Sequence, residues 1–176
     1  MRATGDFEAW LIAILVVVVL LAGAGVANPA TADPADDGYG APTTWYVAIQ
    51  PDGDARVTIT MRYHLSTVNE TRGFQRLSGE FENGTATVLS IETFERAAAL
   101  ASESTGRTME VSEVDRSSQI ENDTGELVLS FTWTSFARTP DDRIEFGDVF
   151  RTPSGTWLPE LTERQELIVA VPSRYD

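Results

Sequence analysis

Three of the chain's four asparagines begin Asn-x-Thr triplets: Asn69-Glu70-Thr71, Asn83-Gly84-Thr85 and Asn122-Asp123-Thr124. The chemistry that this spacing encodes is attachment of a glycan to the side-chain amide. Each triplet falls where the surrounding sequence predicts a helix end or a hairpin turn, so a sugar there would stand in solvent. The same asparagines also suit capping and turn formation, which require no sugar.

Other chemistry has fewer residues to draw on. A Ser-His-Asp site would have to use His64, the single histidine, while a Cys-His site is excluded because there is no cysteine. No Gly-x-Ser-x-Gly elbow and no phosphate-cradling glycine loop occurs. His64 falls on the polar face of a strand, where solvation or pairing is the expected role. Carboxylate pairs are the machinery of glycosidases and aspartic proteases, but most of the 27 acidic residues of so acidic a chain serve as surface charge. Asp52-Gly53-Asp54 and Asp141-Asp142 offer the ligand type for a hard cation, yet neither continues into a calcium-loop pattern, and turn chemistry is the expectation. No catalytic residue, metal ligand or cofactor is assigned. The aromatics Trp45, Phe131, Trp133, Phe136, Phe146, Phe150 and Trp157 suit either a ligand platform or a core. Trp45, Phe131 and Trp133 share the phase of the aliphatic strand faces, which favours core; Trp157 lies outside any period and is expected to be exposed.

The elements that would position these residues are legible from periodicity. Ala55, Val57, Ile59, Met61, Tyr63 and Leu65 alternate with Arg56, Thr58, Thr60, Arg62 and His64, the mark of a strand with one buried face. Trp45, Val47 and Ile49 keep the same period, and Pro51-Asp52-Gly53-Asp54 makes a hairpin of the two runs. Leu127, Leu129, Phe131 and Trp133 repeat the pattern after a turn at Asn122-Asp123-Thr124-Gly125, with a partner strand around Thr108 to Arg116. Gln165 to Val171 is apolar on both faces, which predicts an interior strand bounded by Pro172. Between the hairpins Thr67-x-x-Glu70 makes a capping box ahead of Phe74, Leu77 and Phe81, with Asn83-Gly84 as the stop. A second helix is expected from about Ser90 to Ser104, buried through Phe94, Ala97, Ala98 and Ala101 and ended by Gly106. Val88, Leu89 and Ile91 leave a strand extension open at its start. The sum is an α+β domain, an antiparallel sheet with about two helices.

Ahead of this domain Ala9 to Ala27 carries no charged side chain. As a helix it would be ~28 Å long, near the ~30 Å of a bilayer's hydrocarbon core. The organisation read from the sequence is therefore a transmembrane or signal helix over 1–27, a flexible tether over 28–42 and an extracytoplasmic domain over 43–176. Length favours a retained anchor, and Arg2 before the run with Asp33, Asp36 and Asp37 after it places the C-terminal domain outside. Small-residue spacing at Gly25-Val26-Ala27 and Ala30-Thr31-Ala32 keeps a cleaved signal, and hence secretion, open. A pilin-like helix would need a processing site before the run, and Gly5-Asp6 is a poor one.

All 13 basic residues are arginine, and the net charge is −14 with a pI near 4.3. A lysine-free, acidic composition resembles that of haloarchaeal proteins, whose carboxylate surfaces tolerate molar salt because charge is screened within ~3 Å. The acidity argues against nucleic acid as a partner.

Gly53-Asp54-Ala55, Thr105-Gly106-Arg107-Thr108-Met109, Leu129 to Ala137, Phe146-Gly147-Asp148-Val149-Phe150, Thr156-Trp157-Leu158-Pro159 and Val171-Pro172 together resemble an uncharacterised extracytoplasmic domain of haloarchaeal membrane proteins. The resemblance spans Trp45 to Tyr175. In such proteins a second transmembrane helix and a cytoplasmic winged helix-turn-helix often follow; neither is present in this sequence, which is expected to be a truncated or stand-alone relative. The resemblance supplies no catalytic or ligand residues. Two functions are consistent with these readings: a noncatalytic, membrane-tethered domain on the outer face that senses an envelope signal or binds another envelope or membrane protein, or a secreted hydrolase acting on an extracellular polymer.

Overall fold

β1 (Thr43–Ile49) and β2 (Ala55–His64) form the hairpin that the alternation predicts, with Ile49 opposite Ala55 and Thr43 opposite Met61. The computed structural model describes residues 41–173 apart from Asp142 and Pro159, so the apolar run and the tether to residue 40 lie outside the described residues. Between the strands the Asp52 carboxylate accepts the Asp54 N–H at 3.1 Å. Gly53 stands at φ +94°, and a Cβ there would lie 2.5 Å from the Ala137 carbonyl oxygen. Glycine is required at that position for both its conformation and its proximity.

The helices follow the predicted pattern closely. α1 (Val68–Glu82) opens on the capping box: the Thr67 hydroxyl accepts the Glu70 N–H at 3.2 Å, and the Glu70 carboxylate accepts the Thr67 N–H at 2.7 Å. It buries Gly73, Phe74, Ser78 and Phe81. α2 (Ile91–Thr105) buries Ile91, Phe94, Ala97, Ala98 and Ala101 and ends on Gly106 in the left-handed conformation. Val88 and Leu89 extend no strand; they lie in the turn ahead of α2, with Leu89 at φ 50°.

β2 also pairs antiparallel with β4 (Thr124–Trp133), and β4 with β3 (Val111–Glu121). The expected partner around Thr108 to Arg116 is thus displaced towards the turn. The connection is also shorter than the four-residue turn predicted: only Asn122 and Asp123 make it, at φ 46° and 60°. Left-handed conformation at both central residues is what a two-residue hairpin connection demands, and Asn and Asp tolerate it best after glycine. Gly125 therefore belongs to β4, opposite Tyr63 and Ile120. The Phe74 ring of α1 rests on it so closely that a Cβ would meet ring carbons at 2.7 Å.

The sheet order is β3-β4-β2-β1-β7, where β7 (Gln165–Ala170) is parallel to β1 and all other pairs are antiparallel. This corrects the expectation that the Gln165 to Val171 segment is interior: β7 is an edge strand, and it encloses its neighbour β1. The misleading feature is Ile168. Leu167 and Val169 pack against the core, whereas Ile168 is 38% exposed on the far face beside Tyr46, itself 43% exposed. Apolar residues on both faces here mean a small exterior patch, where a continuous apolar run more often means burial on both sides. The sheet is accordingly mixed, and the domain remains α+β. A short hairpin, β5 (Arg151–Thr152) with β6 (Gly155–Thr156), follows a 3-10 turn at Gly147–Phe150. Both helices lie over the face that carries Val57, Ile59, Leu127, Leu129 and Phe131, leaving Thr58, Thr60 and Arg62 on the open face. Among the described residues no helix is long and apolar enough to cross a membrane.

Candidate functional site

The aromatics converge between α2, the sheet and the 3-10 turn. Trp45 meets Phe94 edge-on at 5.6 Å, Phe94 meets Phe131 at 5.0 Å, and Trp133 meets Phe136 edge-on at 5.6 Å. Phe146 and Phe150 approach Phe136 at 6.4 and 6.0 Å. These separations and tilts are those of favourable ring pairs in a packed interior. The space left among them is an apolar cavity of about 10 Å³. That is at the lower bound for a single water and lacks the polar partners a water needs. These rings act as core.

Trp157 corrects the sequence reading. It is not an exposed ring: it stacks on Trp133 at 5.3 Å and 29°, touches Phe150 at 5.7 Å, and its indole N–H donates to the Val149 carbonyl at 2.8 Å. It lacks a period because it arrives after a short hairpin that folds back over the sheet end. The indole N–H groups of Trp45 and Trp133 are buried without an acceptor, each at a cost of ~1–3 kcal/mol.

The segment carrying these rings is held by a group that sequence reasoning passed over. Arg107 donates to the Ser135 carbonyl at 3.1 Å and the Phe136 carbonyl at 3.2 Å, and engages both oxygens of Asp148 at 2.6 and 3.0 Å. Hydrogen bonding from the Arg107 guanidinium, reinforced by its charge, holds the Asp148 carboxyl below the usual aspartate range. The available signal was the resemblance itself, since Thr105 to Met109 and Phe146 to Phe150 are two of its segments and this ion pair is where they meet. Asp54, weighed above as a cation ligand, accepts the Ser135 N–H at 2.8 Å and so anchors the same loop. Asp52 serves the hairpin turn, and of the Asp141-Asp142 pair only exposed Asp141 lies within the described residues.

The remaining candidates are dispersed. His64 is exposed at the end of β2, opposite Thr124. Glu126 accepts from Gln119 at 2.7 Å and from Arg62 at 2.6 Å, and these two hydrogen bonds hold its carboxyl low. Burial pushes the Tyr63 phenol up to about 12. Asn69, Asn83 and Asn122 are all exposed: in the first turn of α1, at its C-cap and in the β3–β4 loop.

The architecture is thus a five-stranded mixed sheet covered on one face by two helices, with the clustered rings from Trp45 to Trp157 packed between them and the 3-10 turn. Residues 46–175 match a domain of unknown function, DUF7345, and the chain belongs to that family. No curated protein and no solved structure matches it.

Proposed function

We propose that this chain is a noncatalytic, membrane-tethered domain displayed outside a haloarchaeal cell, where it senses its surroundings by binding another envelope or membrane protein. The observation that carries the reading is the uncharged run Ala9–Ala27, of bilayer length, ahead of a folded acidic domain. The use of the polar and aromatic groups supports it. Arg107, Asp148 and Asp54 fasten the scaffold, and the rings that suit a ligand platform fill the interior instead. Exposed apolar surface suitable for a protein contact occurs where Tyr46 and Ile168 stand side by side at the β1–β7 border.

A photo-reactive residue in place of Tyr46 or Ile168, activated in intact cells, is expected to capture one discrete envelope protein, while the same residue in place of Arg72 captures none. Equal labelling from both positions overturns the contact. Turnover of an extracellular polymer by the purified domain overturns the noncatalytic reading in favour of a hydrolase.

A further inference from the structure

We propose that Asn69, Asn83 and Asn122 carry N-linked oligosaccharides that coat one flank of the domain, the side of α1 and β3, and leave the β7 side bare. The inference rests on the extracytoplasmic placement proposed above. The three asparagines are spread over 54 positions in sequence, but the fold gathers them. The Asp123 carbonyl accepts the Leu65 N–H at 2.7 Å, which sets the β3–β4 loop beside the chain entering α1 and so brings Asn122 and Asn69 to one end. At the other end of α1, Ser118 of β3 donates to Glu82 at 2.7 Å, and Gly84 lies against the Arg116 guanidinium. Asn83 therefore stands beside the middle of β3. β7 lies four strands away, ~19 Å at the usual spacing.

Capping and glycosylation are compatible at these positions. Transfer forms a bond from Asn Nδ2 to the anomeric carbon of a phosphate-linked oligosaccharide donor. The carbon–oxygen bond to phosphate breaks, the amide gives up one proton, and the phosphate carrier leaves. One N–H remains on each modified amide. Asn83 needs only one, because its Nδ2 makes a single hydrogen bond to the Gly79 carbonyl at 2.8 Å. Asn69 serves α1 through its oxygen, which accepts from Arg72 and is not altered.

A second observation points the same way. Six large apolar side chains are exposed among the described residues. Tyr46, Ile168 and Val171 lie on or just beyond β1 and β7. The other three, Val68, Val114 and Ile120, lie on the sequon-bearing flank, Val68 next to Asn69 and Ile120 two positions from Asn122. β3 is also an edge strand, whose unpaired backbone invites association with another chain. Sugars at these asparagines would cover both liabilities.

The test uses the full chain expressed in a haloarchaeal host that N-glycosylates its envelope proteins. Glycopeptide mass spectrometry is expected to find a sugar on each of the three asparagines, lost singly in Asn69→Gln, Asn83→Gln and Asn122→Gln. The protein has no cysteine, so Ile120→Cys and Ile168→Cys each provide one thiol for a bulky maleimide. In the purified glycoprotein, free of any partner, Ile120→Cys is expected to label several-fold more slowly than Ile168→Cys, and the difference should vanish when all three asparagines are replaced. Unmodified asparagines in a domain that external protease digests on intact cells overturn the glycan proposal alone. Unmodified asparagines in a domain protected from that protease overturn the extracytoplasmic reading with it. Equal labelling of the two thiols in the glycosylated protein overturns the one-sided coat.

Discussion

Gly125 occupies a position where a single methyl group would decide the packing of a helix. With the Phe74 ring within 2.7 Å of where its Cβ would be, Gly125→Ala must push α1 away from β4 or force the ring off its rotamer. An overpacking cost of ~1–3 kcal/mol is expected. Phe74→Leu introduced with it should recover part of that loss, which a double-mutant cycle by denaturant unfolding would register as coupling; strict additivity would refute the contact. The two stacked indoles give a second residue-scale test. Trp133→Ala is expected to cost ~3–5 kcal/mol through the cavity it leaves. Trp157→Ala loses the stack and the hydrogen bond to Val149 and should cost about 2 kcal/mol or more. Unfolding curves in high salt measure both, and a Trp157→Ala chain as stable as wild type would restore the exposed reading. Trp133 was legible because strand phase reports burial directly. Trp157 and Gly125 were not, because each owes its environment to a partner distant in sequence that no local period encodes.

At the scale of elements, the Arg107–Asp148 pair joins the segment after α2 to the 3-10 turn, and it should give the acid limb of stability a recognisable component. The folded-state carboxyl of Asp148 is more acidic than an unstructured aspartate, whose pKa is ~3.9. Its contribution is therefore fully present above that ordinary range and is lost as the pH falls through the lower folded value. Unfolding midpoints followed from neutral to strongly acidic pH should fall less steeply for Asp148→Asn than for wild type. Tyr63 has the opposite sign: with the buried phenol near 12 against an ordinary 10, stability is intact below 10 and declines as the pH rises through about 12. Tyr63→Phe should remove that alkaline decline. Among the elements, the first hairpin, β4, the capping box and both helix stops could be read from sequence, since alternation, a Thr-x-x-Glu pair and well-placed glycines are local signals. The lateral order of strands was not so encoded. β7 reads the same whether it is enclosed or at the edge, and only its parallel pairing with β1 distinguishes the two.

For the whole molecule, charge is the property that sequence conveyed most directly. With a net charge of −14 and no lysine, self-repulsion is expected to loosen the fold in dilute buffer and to be screened at molar salt. The melting temperature of the domain should rise steeply with salt concentration; indifference to salt would remove this account.

The parallel pairing of β1 with β7 also bears on how the domain responds to tension. The chain reaches the sheet at the Thr43 end of β1 and departs at the Ala170 end of β7, and these adjacent strands point the same way through six matched residue pairs. Tension applied between the two departure points would slide one strand along the other, loading the ladder hydrogen bonds together. Tension between Pro42 and Ser66, which leave the β1–β2 hairpin at the same end, would instead peel that ladder bond by bond. Optical-tweezer rupture should therefore require markedly more force with handles at Pro42 and Ser173 than at Pro42 and Ser66. A domain anchored at one end and gripped beyond β7 at the other would act as a mechanical clamp.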